Sequence, residues 1–531
     1  VFRPIPRALS RVLAALVVVA WLGQMGLLVR RAYLQSAPNL AADLSRYGSA
    51  ASWKGVYYRG EKIGFSVSQV KPVDEGFELQ EDGRLQMALL GASTAVRLRT
   101  VARVDRDFAL RSFSFNLDPG TGAIEVRGRV DGRRLELTIA GPSGTRTDVK
   151  DLPEPPALSM NLSRRLAAGG LVTGARHEFA MFDPATLTNA PLVVEVLGRE
   201  VVRAAGRPIP AFKARMTFGA LTSTSWISDT GEVVREESPM GLIVVKESPE
   251  RATALAVPGQ VMTDLLEASA VVPVPAQRIE NPDAVELLRV RLTGFDAKGD
   301  DVQGAGQTVS GDVFEVRDAR KLKPGPRDPD AARFGGPEPF LESDAPEIVA
   351  EAQRVTQGLR GERAKAERLV RHVNGLLEKK PTVSLPSARE VLRTKVGDCN
   401  EHTALYVALA RSLGIPARIA VGLVHLHGAF YYHAWPEVYL EDAAGGLWLP
   451  VDPTLNQFPA DATHIRLARG GLDKQAALLA VIGRARMNVL ELRMTPGAAP
   501  VLVGRAAPDT RPLAIALPRR EAGAGSCWRQ P

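Results

Sequence analysis

From Trp53 to about Leu255, short runs of the chain alternate apolar and polar residues, and this period of two constrains the fold more than any other feature. Gly64-Phe-Ser-Val-Ser-Gln-Val70, Ser112-Phe-Ser-Phe-Asn116 and Leu135-Glu-Leu-Thr-Ile139 are examples. Successive side chains of a strand point to opposite faces. The pattern, broken by Gly, Asp-Gly and Pro, therefore specifies antiparallel sheet with one wetter face. Asp131-Gly132, between Ile124–Val130 and Arg134–Ile139, is a two-residue hairpin signal. Pro153-Glu-Pro-Pro156 marks a candidate division of this region near 150–160, and a helical piece around Ala157–Ala168 follows it. Two sheet layers and one large curved sheet both satisfy the pattern.

The other segments read differently. Val12–Val29 is an apolar run led by Arg3, Arg7 and Arg11 and followed by Arg30 and Arg31. About eighteen helical residues just cover the hydrocarbon core of a bilayer. The leading arginines favour an amino terminus inside and the bulk of the chain outside. A cleaved signal peptide is the competing reading, but no small-x-small site follows the run at once. Residues 1–36 are thus expected to be a single-pass membrane anchor, and 37–260 the β-rich region. Residues 261–320 form a smaller strand-rich segment, with Val285–Leu292 and Val313–Val316 as strands. A proline-rich, charged stretch at 321–340 is expected as an unpacked linker. Residues 341–495 begin with helices: Pro346 opens one, Ala366, Leu369, Val370, Val373, Leu376 and Leu377 form one apolar stripe, and Ser387–Glu390 is a capping box. Asp473–Arg486 reads as helix, and 496–531 as a tail.

Composition excludes several classes. The net charge of +8 is small for 531 residues, and the arginines alternate with acids, so nucleic acid is not an expected partner. The only two cysteines are Cys399 and Cys527, the second in a Gly/Ala-rich tail, which excludes a disulfide framework and leaves Cys399 as a free thiol.

That thiol sits in the most informative stretch, Val396-Gly-Asp-Cys-Asn-Glu-His-Thr403, which runs into an apolar helix ending at Gly414. Asp398 and Glu401 are spaced as a capping box, which makes Cys399 the first helical residue. The positive end of the helix favours an anion there, so the thiol pKa is expected to fall, and the free N–H groups could hold an oxyanion. A small buried structural cysteine is the bland alternative. Ala417–Val424 and Phe430–Leu440 read as a hairpin turning near His427-Gly428. Alternation puts His433, Trp435, Glu437 and Tyr439 on one face. A third strand, Gly446-Leu-Trp-Leu-Pro-Val-Asp-Pro453, ends at Asp452, which could accept a hydrogen bond from one imidazole nitrogen of His433 and leave the other facing Cys399. His402 is a rival base, but it shares the helix of Cys399. Zinc on His402, His425, His427 and Cys399 lacks a familiar ligand spacing, so no metal or other cofactor is expected. His464 reads as a local structural contact.

These residues resemble the transglutaminase-like superfamily, relatives of papain-like thiol enzymes. The matching elements are Asp398-Cys399 opening a helix, Ala410-Arg-Ser-Leu-Gly-Ile-Pro-Ala-Arg418, His433-Ala-Trp435, Glu437-Val438 and Asp452-Pro-Thr454, within about 345–470. The resemblance implies a Cys399, His433, Asp452 triad, with Trp435 and Asp398 as candidate substrate contacts. It implies a papain-like α+β catalytic domain there; with the apolar run and the alternating region read above, the whole is expected to be a multidomain α+β chain: transmembrane helix, antiparallel β-rich region, then the catalytic domain. It further implies a bacterial inner-membrane enzyme with its bulk on the periplasmic side, cutting amide bonds of peptide or protein substrates through a thioester. Transamidation to an amine, and a non-catalytic envelope-assembly role, are the alternatives. Gly60–Gly64 and Gly231–Ser238 also resemble the half-barrel sheets of lipoprotein-carrier-like proteins.

Overall fold

The alternating region folds as a single sheet of fourteen strands. The fold is that of a computed structural model. The description covers residues 51–89, 92–120, 122–142, 144–219, 221–238, 241–254, 270–294, 300–380, 387–471, 474, 485–496 and 501–502. The expected anchor, the first residues of the 37–260 region, Cys527, most of the helix expected at 473–486 and nearly all of the tail lie outside these residues. Among the described residues, no helix is long and apolar enough to cross a membrane.

Eight strands, from Ser52–Tyr58 to Gly144–Asp151, follow one another across the sheet. The chain then crosses through Pro153–Pro156 to the opposite edge. From there six strands, Arg176–Asp183 to Leu242–Glu247, return until the last pairs antiparallel with Ser52–Tyr58. The Asp131-Gly132 hairpin closes with Asp131 opposite Arg134 and Gly132 at φ +57°, which glycine adopts without strain. Leu135, Leu137 and Ile139 are all buried, as alternation requires. The sheet curls: Phe113, in its fifth strand, meets Phe182, on the far edge strand, with ring centroids 5.7 Å apart. The helix Ser159–Ala168 lies inside the curl. Leu162 and Leu166 pack on Leu192, Val194, Ala214 and Ile227, while the buried Asn161 accepts from Leu158 N–H and donates to the Phe108 carbonyl.

Val285–Thr293 and Val313–Arg317 belong to a second sheet, and Val285–Thr293 pairs on its other side with Arg486–Met494, from near the end of the 341–495 segment. The 321–340 segment differs from the unpacked linker expected of it. Gly325 bridges Gly446, Asp328 N–H donates to Tyr439 Oη and Asp328 accepts from Trp448 Nε1, so proline density here marks an ordered strap.

Four helices follow: α1 (Pro346–Thr356), α2 (Glu362–Leu376), α3 (Ala388–Thr394) and α4 (Cys399–Ser412). Ala366, Leu369, Val370 and Val373 of α2 form the buried stripe read from the sequence, and Ser387 caps α3. Helix α4 is buried almost throughout. It packs against a sheet of β1 (Ala417–Leu426), β2 (Ala429–Asp442), β3 (Gly445–Pro450) and β4 (Ile465–Arg469), in the order β3-β2-β1-β4. His427 and Gly428, both at positive φ, form the two-residue turn between β1 and β2.

At Gly422 the β1–β4 register shifts, and a Cβ there would collide with the Ile465 carbonyl. Gly422→Ala should therefore part these strands and cost about 1–3 kcal/mol of stability. Thermal unfolding measures this, and an unchanged midpoint would show that β4 is free to move.

Candidate functional site

Helix α4 starts at Cys399 because Asp398 caps it. The Asp398 carboxylate accepts from the Asn400 and Glu401 amides, Glu401 reaches back to the Asp398 N–H, and the Asp398 carbonyl accepts from His402 N–H. The first four amides of a helix have no intrahelical acceptor. Of these, the Asn400 and Glu401 amides are met by the Asp398 carboxylate and the Asp398 amide by Glu401, which leaves the Cys399 N–H without a partner among the described residues. Asp398, a candidate substrate contact from the sequence, is occupied with this capping.

The open edge of β2 completes the junction. Strand β3 pairs with β2 only from Glu437 onward, so the Ala434 stretch is left to α4. Thr403 Oγ1 donates to the Ala434 carbonyl at 3.1 Å, and the Ala434 N–H donates to Cys399 Sγ. The thiol remains partly exposed. Its pKa is raised well above the usual thiol value, first by poor solvation, then by the Asp398 carboxylate, with Glu401 and Asp452 adding to the effect and the Ala434 N–H opposing it. This reverses the expectation from the helix end. Burial of the sulfur is the first cause, and the capping carboxylates act in the same direction.

His433, next to Ala434 on β2, is buried, and its Nε2 lies 2.7 Å from Asp452 Oδ2. Asp452 sits just past β3 rather than at the strand end. Its Oδ1 accepts from the Thr454 and Leu455 amides at 2.7 and 3.0 Å, which fixes the carboxylate from the other side. Burial alone would raise the Asp452 pKa, but His433 and His464 hold it far below the ordinary carboxylate range. Trp435 is only 1% exposed, with its ring stacked on His433 at 6.1 Å and edge-on to His464 at 5.1 Å. Trp435 is a candidate substrate contact from the sequence, but Ala460, Asp461, His464 and Arg466, with Ala305, Gln307 and Val316 from the second sheet and its flanks, lie about it and leave it buried. It is a floor beneath the two imidazoles.

His464 belongs to this cluster, and sequence reasoning missed it. Its Nε2 is 3.0 Å from Asp452 Oδ2 and its Nδ1 is 3.1 Å from the Asp461 carbonyl. Burial works against its charge, but Asp461 and Asp452 raise its pKa to about 10. His433, Asp452 and His464 form the only cluster of three metal-competent side chains among the described residues, and they are joined by two hydrogen bonds. The His402, His425, His427 and Cys399 set is not brought together as such a cluster. His402 is buried, with Nδ1 2.7 Å from the Asp398 carbonyl, and His425 lies edge-on to Phe430. Tyr432 is partly buried, and its hydroxyl donates to Asn400 Oδ1 at 3.4 Å.

Beside this cluster, Glu437 is fully buried and meets three guanidiniums: Arg418 and Arg469 at 2.8 Å, and Arg466. Arg418 also lies 3.7 Å over the Trp448 ring.

The site is a capped helix bearing a thiol at its first residue, packed on a hairpin with a histidine–aspartate pair. Residues 350–453 match the transglutaminase-like superfamily, so the chain carries a transglutaminase-like domain with a thiol-enzyme fold. No curated protein matches the chain. Among solved structures, a candidate cysteine protease from Cytophaga hutchinsonii is similar at 18% identity and a TM-score of 0.26, covering 39% of this chain and 87% of that one. A β-barrel-like protein of a domain family of unknown function from Brucella abortus is similar at 10% identity and 0.30, covering 37% and 95%. A candidate protease from Parabacteroides distasonis is similar at 11% identity and 0.19, covering 64% of each chain.

Proposed function

We propose that this domain hydrolyses amide bonds of peptide or protein substrates, with Cys399 as nucleophile, His433 as general base and Asp452 as the carboxylate that orients the imidazole. The observation that carries this reading is the hydrogen bond from His433 Nε2 to Asp452 one residue from Ala434, whose N–H holds the Cys399 sulfur. Nδ1 of His433 is then the nitrogen left to accept the thiol proton.

In the acylation step the sulfur attacks the substrate carbonyl carbon as its proton passes to the imidazole, and the carbonyl electron pair moves onto oxygen. The unengaged Cys399 N–H is placed to stabilise that oxyanion. Collapse breaks the C–N bond, and the departing amine takes the proton from the imidazolium, leaving a thioester. Water then attacks, giving its proton to the imidazole, and the C–S bond breaks to release the carboxylic acid and restore the thiol. An amine in place of water would give transamidation through the same thioester.

Intact-protein mass spectrometry of the full chain after incubation with a cell-envelope peptide extract tests this. A thioester adduct mapped to Cys399 and discharged by water is expected. Discharge only by an added primary amine would point to acyl transfer, and an adduct on any other residue would overturn the assignment.

A further inference from the structure

One charged side chain beside the nucleophile has no part in the reaction above. We propose that Lys379 is a specificity-determining residue of the same site, an ammonium that receives a carboxylate of the substrate next to the scissile amide. The inference rests on the reading of Cys399 as nucleophile.

The segment that carries Lys379 is fastened to both sides of the site. Near the end of α2, Asn374 Nδ2 donates to the Pro453 and Thr454 carbonyls at 2.8 and 3.0 Å, directly after Asp452. Leu377 then packs into the core around α4. The two-residue strand Glu378–Lys379 runs parallel to Val396–Gly397, with Glu378 N–H donating to the Lys395 carbonyl and Lys380 N–H to the Gly397 carbonyl. Lys379 therefore lies opposite a residue two positions before Cys399, on a segment tied to the loop of Asp452.

Its direction follows from the strand. Successive side chains point to opposite faces. Glu378 and Lys380 are exposed and pair with each other at 2.9 Å. Lys379, between them, is half-buried and turns to the inner face. Gly397 lies beside it on that face, and a Cβ there would collide with Glu401 in the first turn of α4. The Lys379 side chain thus leaves the strand on the side where α4 begins.

Among the described residues, Lys379 has no ion pair. Burial lowers its pKa, and the Asp452 carboxylate opposes that effect. The pKa of His402 is lowered first by burial, and Lys379 acts on it in the same direction. His402 turns Nδ1 to the Asp398 carbonyl and leaves its buried Nε2 without a hydrogen-bond partner. The acids of the site are committed elsewhere. Asp398 and Glu401 form the cap of α4, and Asp452 serves two amides with Oδ1 and two imidazoles with Oδ2. A partly desolvated charge without a partner is costly, and a carboxylate brought by the substrate would complete it. A peptide offers that group at an acidic side chain or at its carboxyl terminus.

The test compares alkylation of Cys399 by iodoacetate and by iodoacetamide in the full chain, mapped by peptide mass spectrometry. In both reactions the same sulfur bonds to carbon and iodide leaves, so the thiolate fraction cancels in the ratio of rates and the reagent's charge remains. Dividing by the same ratio for N-acetylcysteine removes the intrinsic difference between the reagents. Lys379→Gln should lower the normalised ratio by about five-fold, and Lys379→Arg should hold it within about two-fold. Circular dichroism confirms that both variants are folded. An unchanged ratio in Lys379→Gln would overturn the proposal. Protection of Cys399 from iodoacetamide then separates the two sources. Protection by acetyl-alanyl-alanine identifies a terminal carboxylate, and protection by acetyl-alanyl-glutamate amide an acidic side chain, with acetyl-alanyl-glutamine amide as the neutral control. No preference for either acid over that control would also overturn the proposal. A thioester mapped to another residue, with the ratios as expected, would instead sink the underlying reading of Cys399.

Discussion

Replacing Cys399 with alanine is expected to lower kcat/KM for amide hydrolysis by on the order of 10⁴-fold or more while leaving the fold intact. The sulfur is the one atom in the site that can form and release a thioester. The cost to stability should be about 1 kcal/mol or less, because the side chain is small, partly exposed and held by the single Ala434 N–H. Hydrolysis of the peptide found in the adduct experiment, followed beside far-UV circular dichroism, checks both halves. Turnover near that of the unsubstituted chain would place the nucleophile elsewhere.

The largest effect on stability is expected at Glu437. Glu437→Ala leaves Arg418, Arg466 and Arg469 facing one another with no carboxylate between them, in a site where Glu437 itself is fully buried. Stripping one partner from a buried ion cluster costs about 3–5 kcal/mol. Urea unfolding at neutral pH measures this, and a loss below 1 kcal/mol would mean that water relieves the arginines.

The pH dependence has a definite sign. Burial would raise the pKa of Glu437, but Arg466, Arg469 and Arg418 hold it below the usual 4.5. A depressed carboxylate stabilises the fold above its unfolded pKa and loses that contribution as pH falls through the folded value. Asp452 acts in the same direction, as does Asp461, which is lowered to about 2. Stability should therefore fall steadily below pH 4.5, and less steeply in the Glu437→Ala variant.

Features set by local chemistry were legible in the sequence. Asp398 and Glu401 fix where α4 begins, His427-Gly428 turns β1 into β2, and Asp131-Gly132 turns its own hairpin. Features that depend on what lies across space were not. Alternation puts Trp435 and Glu437 on the face of His433, but it does not reveal that residues around 301–319 and 460–466 cover that face, so that Trp435 is a buried floor and Glu437 sits in a cage of arginines. His464 follows an irregular turn with no periodicity to extend. The spacing of Asp452, Asp461 and His464 was the only trace, and it gains meaning only once Gln457 folds the loop back. For Cys399, the helix-end argument counted the dipole and omitted the burial of the sulfur, which depends on what packs over it, and the two acids that create the helix end.

The large sheet begins in its own middle. Ser52–Tyr58 lies between the second strand and Leu242–Glu247, and its partner on the latter side arrives about 190 residues later. A chain emerging from its amino end can zip seven hairpins in order while one flank of its founding strand stays raw. Until the returning ribbon reaches that seam, the nascent sheet exposes bare backbone donors and acceptors to any neighbouring strand. Leu242–Glu247 is the latch that shuts it.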